Sequence, residues 1–234
     1  AAPGRYLTGA RLPVVALTTT SGTGAEVTPF ATIWNHAEKK KLSLASPLLF
    51  PQAAIIDPEL TWGLSRDLTL STGLDALNQA FESVWNRNAT SVTRGIAGRA
   101  IAQGFVALPR LAADLDDHEA RTIIAEASLL AGLAISQTRT AICHAISYPL
   151  TAHFGLPHGW ACAVSMVAAA REVLAEVPEC LTPVALQAGY ADAGALVKGL
   201  EELMATAGLR AVVDSYIPDR AALPDLIPEM YTPE

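Results

Sequence analysis

Three of the five histidines in this chain, His144, His153 and His158, lie within fifteen residues of one another in an otherwise apolar segment. Imidazoles in such a segment can bind a divalent metal, transfer protons, or simply be half-buried side chains. Gly155 and Pro157 separate His144 from His158, so the two cannot be neighbours on one straight helix. The chain must therefore turn if both histidines belong to one site.

A carboxylate upstream could complete such a site. In GLDALNQAFES, Asp75 and Gln79 are four residues apart, so on a helix both side chains point from the same face. A carboxylate in an apolar helix is costly unless it is paired or bound to a metal. The alternative is an aspartate that caps a nearby backbone group. Two histidines flanking one turn, together with Asp75, predict a carboxylate-plus-imidazole metal site.

A polar, glycine-containing stretch, TTTSGTGAE, directly follows the apolar run PVVAL. A Gly-Thr-Gly turn at the end of a strand offers backbone N–H groups and hydroxyls to a phosphate or a ribose. The pattern is weak evidence alone, because many surface turns have the same composition.

The three cysteines, Cys143, Cys162 and Cys180, follow no CxxC or zinc-finger spacing. A sparse, odd number of cysteines fits a reducing cytoplasm better than a disulfide framework, so we expect a cytoplasmic protein. Cys143 precedes His144 and could be a thiolate nucleophile. Its apolar surroundings favour a buried structural thiol instead, because burial raises a thiol pKa.

Composition argues against several classes of partner. The chain has 234 residues, 51% of them hydrophobic, and a formal net charge of −7, which suits one large or two small domains with a substantial core. The basic run Lys39-Lys40-Lys41 is too short to follow a phosphate backbone, so no nucleic-acid partner is expected. No apolar stretch approaches the roughly 20 residues of a membrane span, so no membrane partner is expected either.

The elements that must position these residues change type along the chain. Before about residue 60, short β-branched and apolar runs predict strands: PVVALTTT, expected to be buried, then ATIWN, KLSLAS and AAIIDPEL. From Leu68 onward, apolar residues recur every three or four positions, with Ser71 or Thr72 near the start of the first helix. Further helices are predicted over residues 91–108, 117–136, 159–177 and 192–206, and the change from strands to helices falls near residues 60–67.

These motifs together resemble those of the iron-containing (group III) alcohol dehydrogenases. The resemblance rests on TTSGTGAE, DPEL, TGLDAL, AGLA and the two histidines ending in PHG, which occur in that order over nearly the whole chain. It implies an α/β remnant of a dinucleotide-binding domain over residues 1–62 and an all-α metal-binding catalytic domain over residues 63–234, as in dehydroquinate synthase-like folds. Because the chain begins just before the glycine loop and stops near TPE, we expect a fragment of a longer enzyme.

The resemblance also implies cofactors and the residues that bind them. The metal would be Fe(II), or alternatively Zn(II), and the redox cofactor NADH or NADPH. The implied metal ligands are Asp75, Gln79, His144 and His158, and the implied cofactor-binding residues are Thr19, Thr20, Gly22, Gly24, Lys41 and Leu68.

Two positions depart from the family pattern. Gln79 stands where the family usually has a histidine ligand, and an amide oxygen binds a metal more weakly than an imidazole does. Tyr148 stands where a second histidine often lies near the reacting carbonyl. Its hydroxyl could relay a proton, although its reference pKa is about 10. His153 matches no ligand position and is expected to be structural.

The implied activity is NAD(P)H-dependent reduction of an aldehyde to a primary alcohol, by an enzyme that could be a homodimer. One alternative is a group III dehydrogenase acting on another small aldehyde or alcohol, including a polyol or glycerol-phosphate relative. The other is a non-catalytic, degenerate fragment, which the replacements at Gln79 and Tyr148 would favour.

The expected substrate is an aldehyde that carries a phosphonate. SQTRTAICHAISYPLT and ESVWNRNA resemble the branch of the family that reduces phosphonoacetaldehyde to 2-hydroxyethylphosphonate. Arg139, five residues before His144, would need an anionic partner to offset its desolvation, and a phosphonate could supply it. On that basis Arg139→Ala should lower kcat/KM by about two to three orders of magnitude. The alternative is a structural ion pair between Arg139 and Glu82 or Glu126.

Overall fold

A computed structural model describes residues 12–35, 37–38 and 40–231, without the side chain of Lys40. The loop predicted before residue 12 and Lys39 of the basic run lie outside this part of the chain. Within it, no helix is long and apolar enough to cross a membrane.

The strands form two small two-stranded sheets near the start of the chain. Strand β1 (Val15–Leu17) pairs in parallel with β4 (Ala53–Ile55), and β2 (Phe30–Asn35) pairs antiparallel with β3 (Lys40–Ala45). The four strand predictions are confirmed in position. The expected burial of the first is wrong, because Val15 and Leu17 are 54% and 55% exposed.

Helices make up most of the chain after residue 65, which confirms the predicted all-α part. They are α1 (Arg66–Trp85), α2 (Ser91–Ala113), α3 (His118–Thr138), α4 (Ile142–Phe154), α5 (His158–Glu176), α6 (Thr182–Gln187), α7 (Ala193–Ala207), α8 (Leu209–Tyr216) and α9 (Ile227–Met230).

The first helix begins earlier than its sequence suggested. The Ser65 hydroxyl accepts a hydrogen bond from the N–H of Leu68, at 3.3 Å, and so caps the helix. Ser71 lies in the second turn and is buried, so neither Ser71 nor Thr72 marks the start. Which residue caps a helix depends on the backbone geometry at the helix end. Several serines and threonines in this segment are suitable N-cap residues, so the sequence alone did not identify Ser65.

Helix α4 was not predicted, because Pro149 lies in its middle. The sequence does show where it ends. Gly155 adopts a left-handed conformation, with φ of 69°, and donates its N–H to the Thr151 carbonyl at 3.0 Å. Pro157 then precedes α5 directly. The turn predicted between His144 and His158 is therefore confirmed.

Helix α1 lies at the centre of the core and packs against α2, α3 and α5. The start of α5 lies very close to α1, since a Cβ on Gly159 would stand 1.8 Å from the Ser71 carbonyl oxygen. The buried Trp160 indole donates to the Asp67 carboxylate at 2.7 Å, which adds a directional contact at the same crossing. This close crossing sets the position of His158 relative to α1.

Candidate metal and cofactor site

Four donor side chains from three helices meet beside α1. Their ligand atoms lie within 4.8 Å of one another, and the group consists of Asp75, His144, His158 and Cys162. Oδ1 of Asp75 lies 3.5 Å from Nε2 of His144 and 3.8 Å from Nε2 of His158. The structure thus brings together Asp75, His144 and His158, three residues named above as metal ligands, and adds a thiol.

His144 lies in the first turn of α4 and is oriented by Glu82 of α1. Its Nδ1 lies 2.7 Å from Oε2 of Glu82, whose carboxylate is fully buried. The same carboxylate accepts hydrogen bonds from the N–H groups of Ala141 and Cys143, at 2.7 and 2.6 Å. Glu82 therefore holds both the imidazole and the start of α4, and it leaves Nε2 of His144 facing Asp75.

His158 lies in the first turn of α5, at the solvent side of the cluster. Its Nδ1 lies 3.4 Å from the Ser147 hydroxyl, which leaves Nε2 for the carboxylate. The side chain of His158 is 33% exposed, whereas those of Asp75 and His144 are each 5% exposed. The cluster is therefore reached from solvent beside His158.

The residues present fit a divalent cation. Asp75 is 3% exposed, and its Oδ1 has no hydrogen-bond partner. A buried carboxylate oxygen without a partner carries a substantial desolvation cost, which a metal ion would offset. Two imidazoles and a carboxylate are donors that both iron and zinc accept.

The electrostatics of the cluster favour positive charge next to Asp75. Burial opposes ionisation, but the neighbouring imidazoles of His144 and His158 outweigh it and lower the pKa of Asp75. Burial likewise opposes charge on His144, yet Cys162 and Glu82 hold its pKa well above the usual range. For the buried thiol of Cys162, the two imidazoles overcome desolvation and lower the pKa to about 7.

Gln79 lies one turn after Asp75 and is also buried, as its spacing predicted. Its Oε1 has no hydrogen-bond partner. That oxygen lies 3.6 Å from the position that a Cβ on Gly24 would occupy, so it faces the glycine-containing loop. A hydrogen bond from the Gln79 side chain is among the influences that lower the pKa of Asp75.

The two glycines of the SGTG loop are required for close packing. A Cβ on Gly22 would lie 2.7 Å from the Thr72 Cβ, and one on Gly24 would lie 2.5 Å from the Cα of Gly132. Gly24 also has a φ of 61°, which side chains disfavour. The loop is thereby held against α1 and α3, beside Gln79. The preceding threonines, Thr19 and Thr20, are exposed and half-buried, respectively.

Lys41 of β3 reaches the site through Tyr148. Its Nζ lies 3.4 Å from the centroid of the Tyr148 ring, a cation–π contact. The Tyr148 ring in turn lies nearly parallel to that of His158, with centroids 6.2 Å apart and an interplanar angle of 9°. Leu68, the remaining residue named for the cofactor, is 41% exposed on the first turn of α1.

The structure contradicts the reasoning that singled out Arg139. Arg139 follows the last residue of α3 with a φ of 69°, and its side chain is exposed. It therefore has no large desolvation cost for an anion to offset. The alternative ion pair is wrong as well, because Glu82 pairs with His144 and, in the described part of the chain, Arg139 forms no ion pair.

The remaining histidine and cysteine predictions agree with the structure. Nε2 of His153 lies 3.0 Å from a Glu229 carboxylate oxygen, where α4 meets α9, and His153 does not belong to the metal-ligand group. Cys143 is fully buried, and burial together with the nearby Glu82 raises its pKa to about 12. It is therefore a structural thiol rather than a nucleophile.

The structure places three further residues at the cluster to which the sequence analysis assigned no site role. They are Glu82, Ser147 and Cys162. A periodicity signal existed for two of them. Glu82 lies seven residues after Asp75, and Cys162 lies four residues after His158, spacings that put each pair on one helix face.

Comparisons with known proteins point to a single family. Residues 69–217 match the model of the Fe-containing alcohol dehydrogenase family, C-terminal, and residues 2–58 match that of iron-containing alcohol dehydrogenase. A phosphonoacetaldehyde reductase of Streptomyces viridochromogenes is 45% identical over 154 residues, 65% of this chain and 39% of that protein. An NAD-dependent methanol dehydrogenase of Bacillus methanolicus is 38% identical over 155 residues, 66% of this chain and 41% of that protein.

Solved structures show the same similarity. A sulfoacetaldehyde reductase from Bifidobacterium kashiwanohense, solved in complex with NAD+, superposes with a TM-score of 0.88 at 34% identity, covering 96% of this chain and 60% of that one. A 1,3-propanediol oxidoreductase superposes with a TM-score of 0.82 at 32% identity, covering 88% of this chain and 57% of that one. The matched region thus spans about two fifths of the two curated relatives.

Proposed function

This chain belongs to the iron-containing alcohol dehydrogenase family, and from that premise we propose that it provides the metal site of an NAD(P)H-dependent aldehyde reductase. The product is a primary alcohol. The observation that carries the proposal is the buried, unpartnered Oδ1 of Asp75, which faces the Nε2 atoms of His144 and His158.

Asp75, His144 and His158 would hold the divalent metal. When bound, such a metal polarises the aldehyde oxygen and stabilises the negative charge that develops on it. Glu82 fixes the ring orientation of His144 through the 2.7 Å contact at Nδ1. Because His158 is the part of the cluster that solvent reaches, the aldehyde would approach from its side.

Tyr148 would supply the proton that completes the alcohol. Its ring lies next to that of His158, and Nζ of Lys41 lies 3.4 Å from the centroid of the same ring. A positioned hydroxyl can donate to the oxygen of the forming alcohol. The phenol would regain its proton from solvent.

The nicotinamide cofactor would supply the hydride, so the task of the protein is placement. The loop bearing Thr19, Thr20, Gly22 and Gly24 would bind its ribose and phosphate groups. Its contact with α1 and α3 through the two glycines holds that loop next to the metal cluster. Lys41 and Leu68 would line the same cofactor path.

We propose a short aldehyde with an anionic group as substrate, and phosphonoacetaldehyde, which would give 2-hydroxyethylphosphonate, as its best representative. Two of the similar proteins carry names that specify phosphonoacetaldehyde and sulfoacetaldehyde. Both compounds place a tetrahedral anion next to an aldehyde. Two cations of this chain, Lys41 and Arg139, are candidates for binding that anion, and Lys41 lies at the Tyr148 ring.

The test is NADH and NADPH oxidation by the intact protein, loaded with Fe(II) or Zn(II), with three aldehydes. Phosphonoacetaldehyde and sulfoacetaldehyde should be reduced with a kcat/KM at least about tenfold above that for propanal, since one charged hydrogen bond contributes roughly 1.5–3 kcal/mol. Equal values for all three would overturn the substrate proposal alone. An absence of turnover with every aldehyde and both metals would overturn the proposed activity.

A further inference from the structure

Cys162 is a metal-site side chain that the family resemblance leaves without a role. It lies one turn after His158 on α5, and its side chain is completely buried. Its Sγ stands 3.7 Å from Nε2 of His158 and within 4.8 Å of the ligand atoms of Asp75 and His144. The thiol is therefore a fourth donor group in the cluster.

Three of the separations are close to those of ligands around a single ion. Nitrogen and sulfur atoms bound tetrahedrally to zinc, at distances of about 2.0–2.3 Å, lie roughly 3.3–3.6 Å from one another. Three of the six separations among the four donor atoms are 3.5, 3.7 and 3.8 Å, within or slightly above this range, and all six lie within 4.8 Å.

A second observation points to a ligand at the same place. Oδ1 of Asp75 is buried and has no hydrogen-bond partner, and it faces the histidines from the α1 side. The family resemblance implied Gln79 as the fourth ligand. The Gln79 amide oxygen lies beside the Gly24 loop, 3.6 Å from where a Cβ on Gly24 would stand.

We infer that Sγ of Cys162 is the fourth ligand of the metal, in a set formed with Asp75, His144 and His158. The inference rests on the proposed metal-dependent function. As the sulfur–metal bond forms, the thiol loses its proton to solvent, so the bound ligand is a thiolate. A thiolate is a softer ligand than an amide oxygen, so this set favours Zn(II) over Fe(II) more than an Asp/Gln/His/His set would.

The experiment is Co(II) substitution of the purified protein, followed by absorption spectroscopy. A cysteine ligand gives an intense thiolate-to-cobalt charge-transfer band in the near ultraviolet, separate from the weak visible d–d bands that any Co(II) site shows. We expect this band in the wild-type protein and its loss in Cys162→Ala and Cys162→Ser. Zn(II) affinity should fall in both variants by about 10–100-fold or more, because removing a residue that only hydrogen-bonds a ligand already costs about that much.

Cys143→Ala is the matched control, because Cys143 is equally buried and adjacent to His144 but lies outside the metal-ligand group. It should keep the charge-transfer band and the Zn(II) affinity of the wild type, and far-ultraviolet circular dichroism checks the folding of all three variants. Wild-type protein that binds Co(II) without the band overturns the Cys162 assignment and leaves the proposed function standing. A chain that binds neither Co(II), Zn(II) nor Fe(II) overturns the metal-dependent function itself.

Discussion

Glu82 of α1 and His144 of α4 form a buried pair, with Oε2 of the carboxylate 2.7 Å from Nδ1 of the imidazole. Although burial opposes its ionisation, His144 and the backbone N–H groups of Ala141 and Cys143 lower the pKa of Glu82. A charged acceptor at Nδ1 fixes the proton there and leaves Nε2 as the basic atom facing Asp75.

Glu82→Gln should therefore weaken metal binding while leaving the helices in place. The amide is similar in size, but it is neutral and a weaker acceptor, so we expect Zn(II) affinity to fall by about 10–100-fold. Competitive titration with a chromogenic chelator measures this. Glu126→Gln on the exposed surface of α3 is the control and should bind Zn(II) as the wild type does. Unchanged affinity in Glu82→Gln would mean that the pair does not orient the ligand.

The glycine after His158 should be sensitive to the smallest substitution. In Gly159→Ala the new Cβ would lie 1.8 Å from the Ser71 carbonyl oxygen, which is backbone and cannot rotate away. Moving α5 off α1 should lower the free energy of unfolding by about 3 kcal/mol, at the upper end of overpacking costs. Urea denaturation measures the change.

Gly95→Ala is the matched control for that experiment. Gly95 also lies in a helix, α2, but a Cβ there would meet nothing within 4 Å. The substitution should raise the free energy of unfolding by roughly 0.5–1 kcal/mol, because alanine restricts the unfolded chain and favours the helix. If both variants lost stability equally, the close crossing of α5 and α1 would not be the cause.

The grouping of Asp75 with His144 and His158 was predictable because each residue has a local signal. Asp75 is a charged residue inside an apolar helical pattern, and Gly155 with Pro157 marks the turn between the two histidines. What the sequence could not show is which helix faces which. Glu82 meets His144 only because α4 packs against α1, and periodicity places Glu82 on a face without naming its neighbour.

Two of the failed expectations, the burial of Arg139 and of the first strand, have related causes. Arg139 was expected to be buried because its neighbours in sequence are apolar, but it follows the end of α3, where a positive φ turns the chain. The strand β1 was expected to be buried because its residues are apolar and β-branched. Its only pairing partner in the described residues is the three-residue β4, which leaves Val15 and Leu17 half exposed.

A pH-dependent stability change is expected from Glu26, next to the glycine loop. Burial raises the pKa of Glu26 above its usual value of 4.5. A carboxyl whose pKa is raised on folding costs no stability well below pH 4.5, where it is protonated in both the folded and the unfolded state. As pH rises through the interval up to the folded pKa, the unfolded state ionises first, and stability falls.

Glu26→Gln should remove this loss, since its side chain does not titrate. We expect the Tm of the variant, relative to wild type, to be higher at pH 7 than at pH 4. Thermal unfolding followed by circular dichroism at both pH values measures it. Glu172→Gln, at an exposed position, is the control, and its Tm should differ from that of the wild type by the same amount at both pH values. A Glu26→Gln variant that behaves as this control does would show that Glu26 is solvated.

Tyr148→Phe tests the proton-donor role separately from packing. The phenyl ring keeps the stacking on His158 and the contact with Lys41, and only the hydroxyl is lost. We expect kcat for aldehyde reduction to fall by about 10²-fold, the lower end of general-acid contributions, with metal content unchanged. Tyr148→Ala should in addition raise KM, because Lys41 loses its support. A Tyr148→Phe variant with wild-type kcat would exclude the hydroxyl as the proton donor.

Arg139→Ala tests how the substrate anion is bound. The exposed position of Arg139 changes the expected size of the effect. A solvated ion pair contributes only about 0–1 kcal/mol, so kcat/KM for phosphonoacetaldehyde should fall by no more than about fivefold, rather than by orders of magnitude. If Lys41 binds the anion, Lys41→Met should lower the same kcat/KM more strongly than Arg139→Ala does, and by more for phosphonoacetaldehyde than for propanal.

Because Lys41 is also proposed to line the cofactor path, the KM for NADH must be measured alongside, so that a loss of cofactor binding is recognised. Arg87→Ala, another exposed arginine, is the control and should leave both substrates unaffected. A loss of two orders of magnitude in Arg139→Ala for the phosphonate alone would show that the arginine folds over the bound substrate. If Lys41→Met lowers kcat/KM equally for phosphonoacetaldehyde and for propanal, Lys41 contributes to cofactor binding and does not bind the substrate anion.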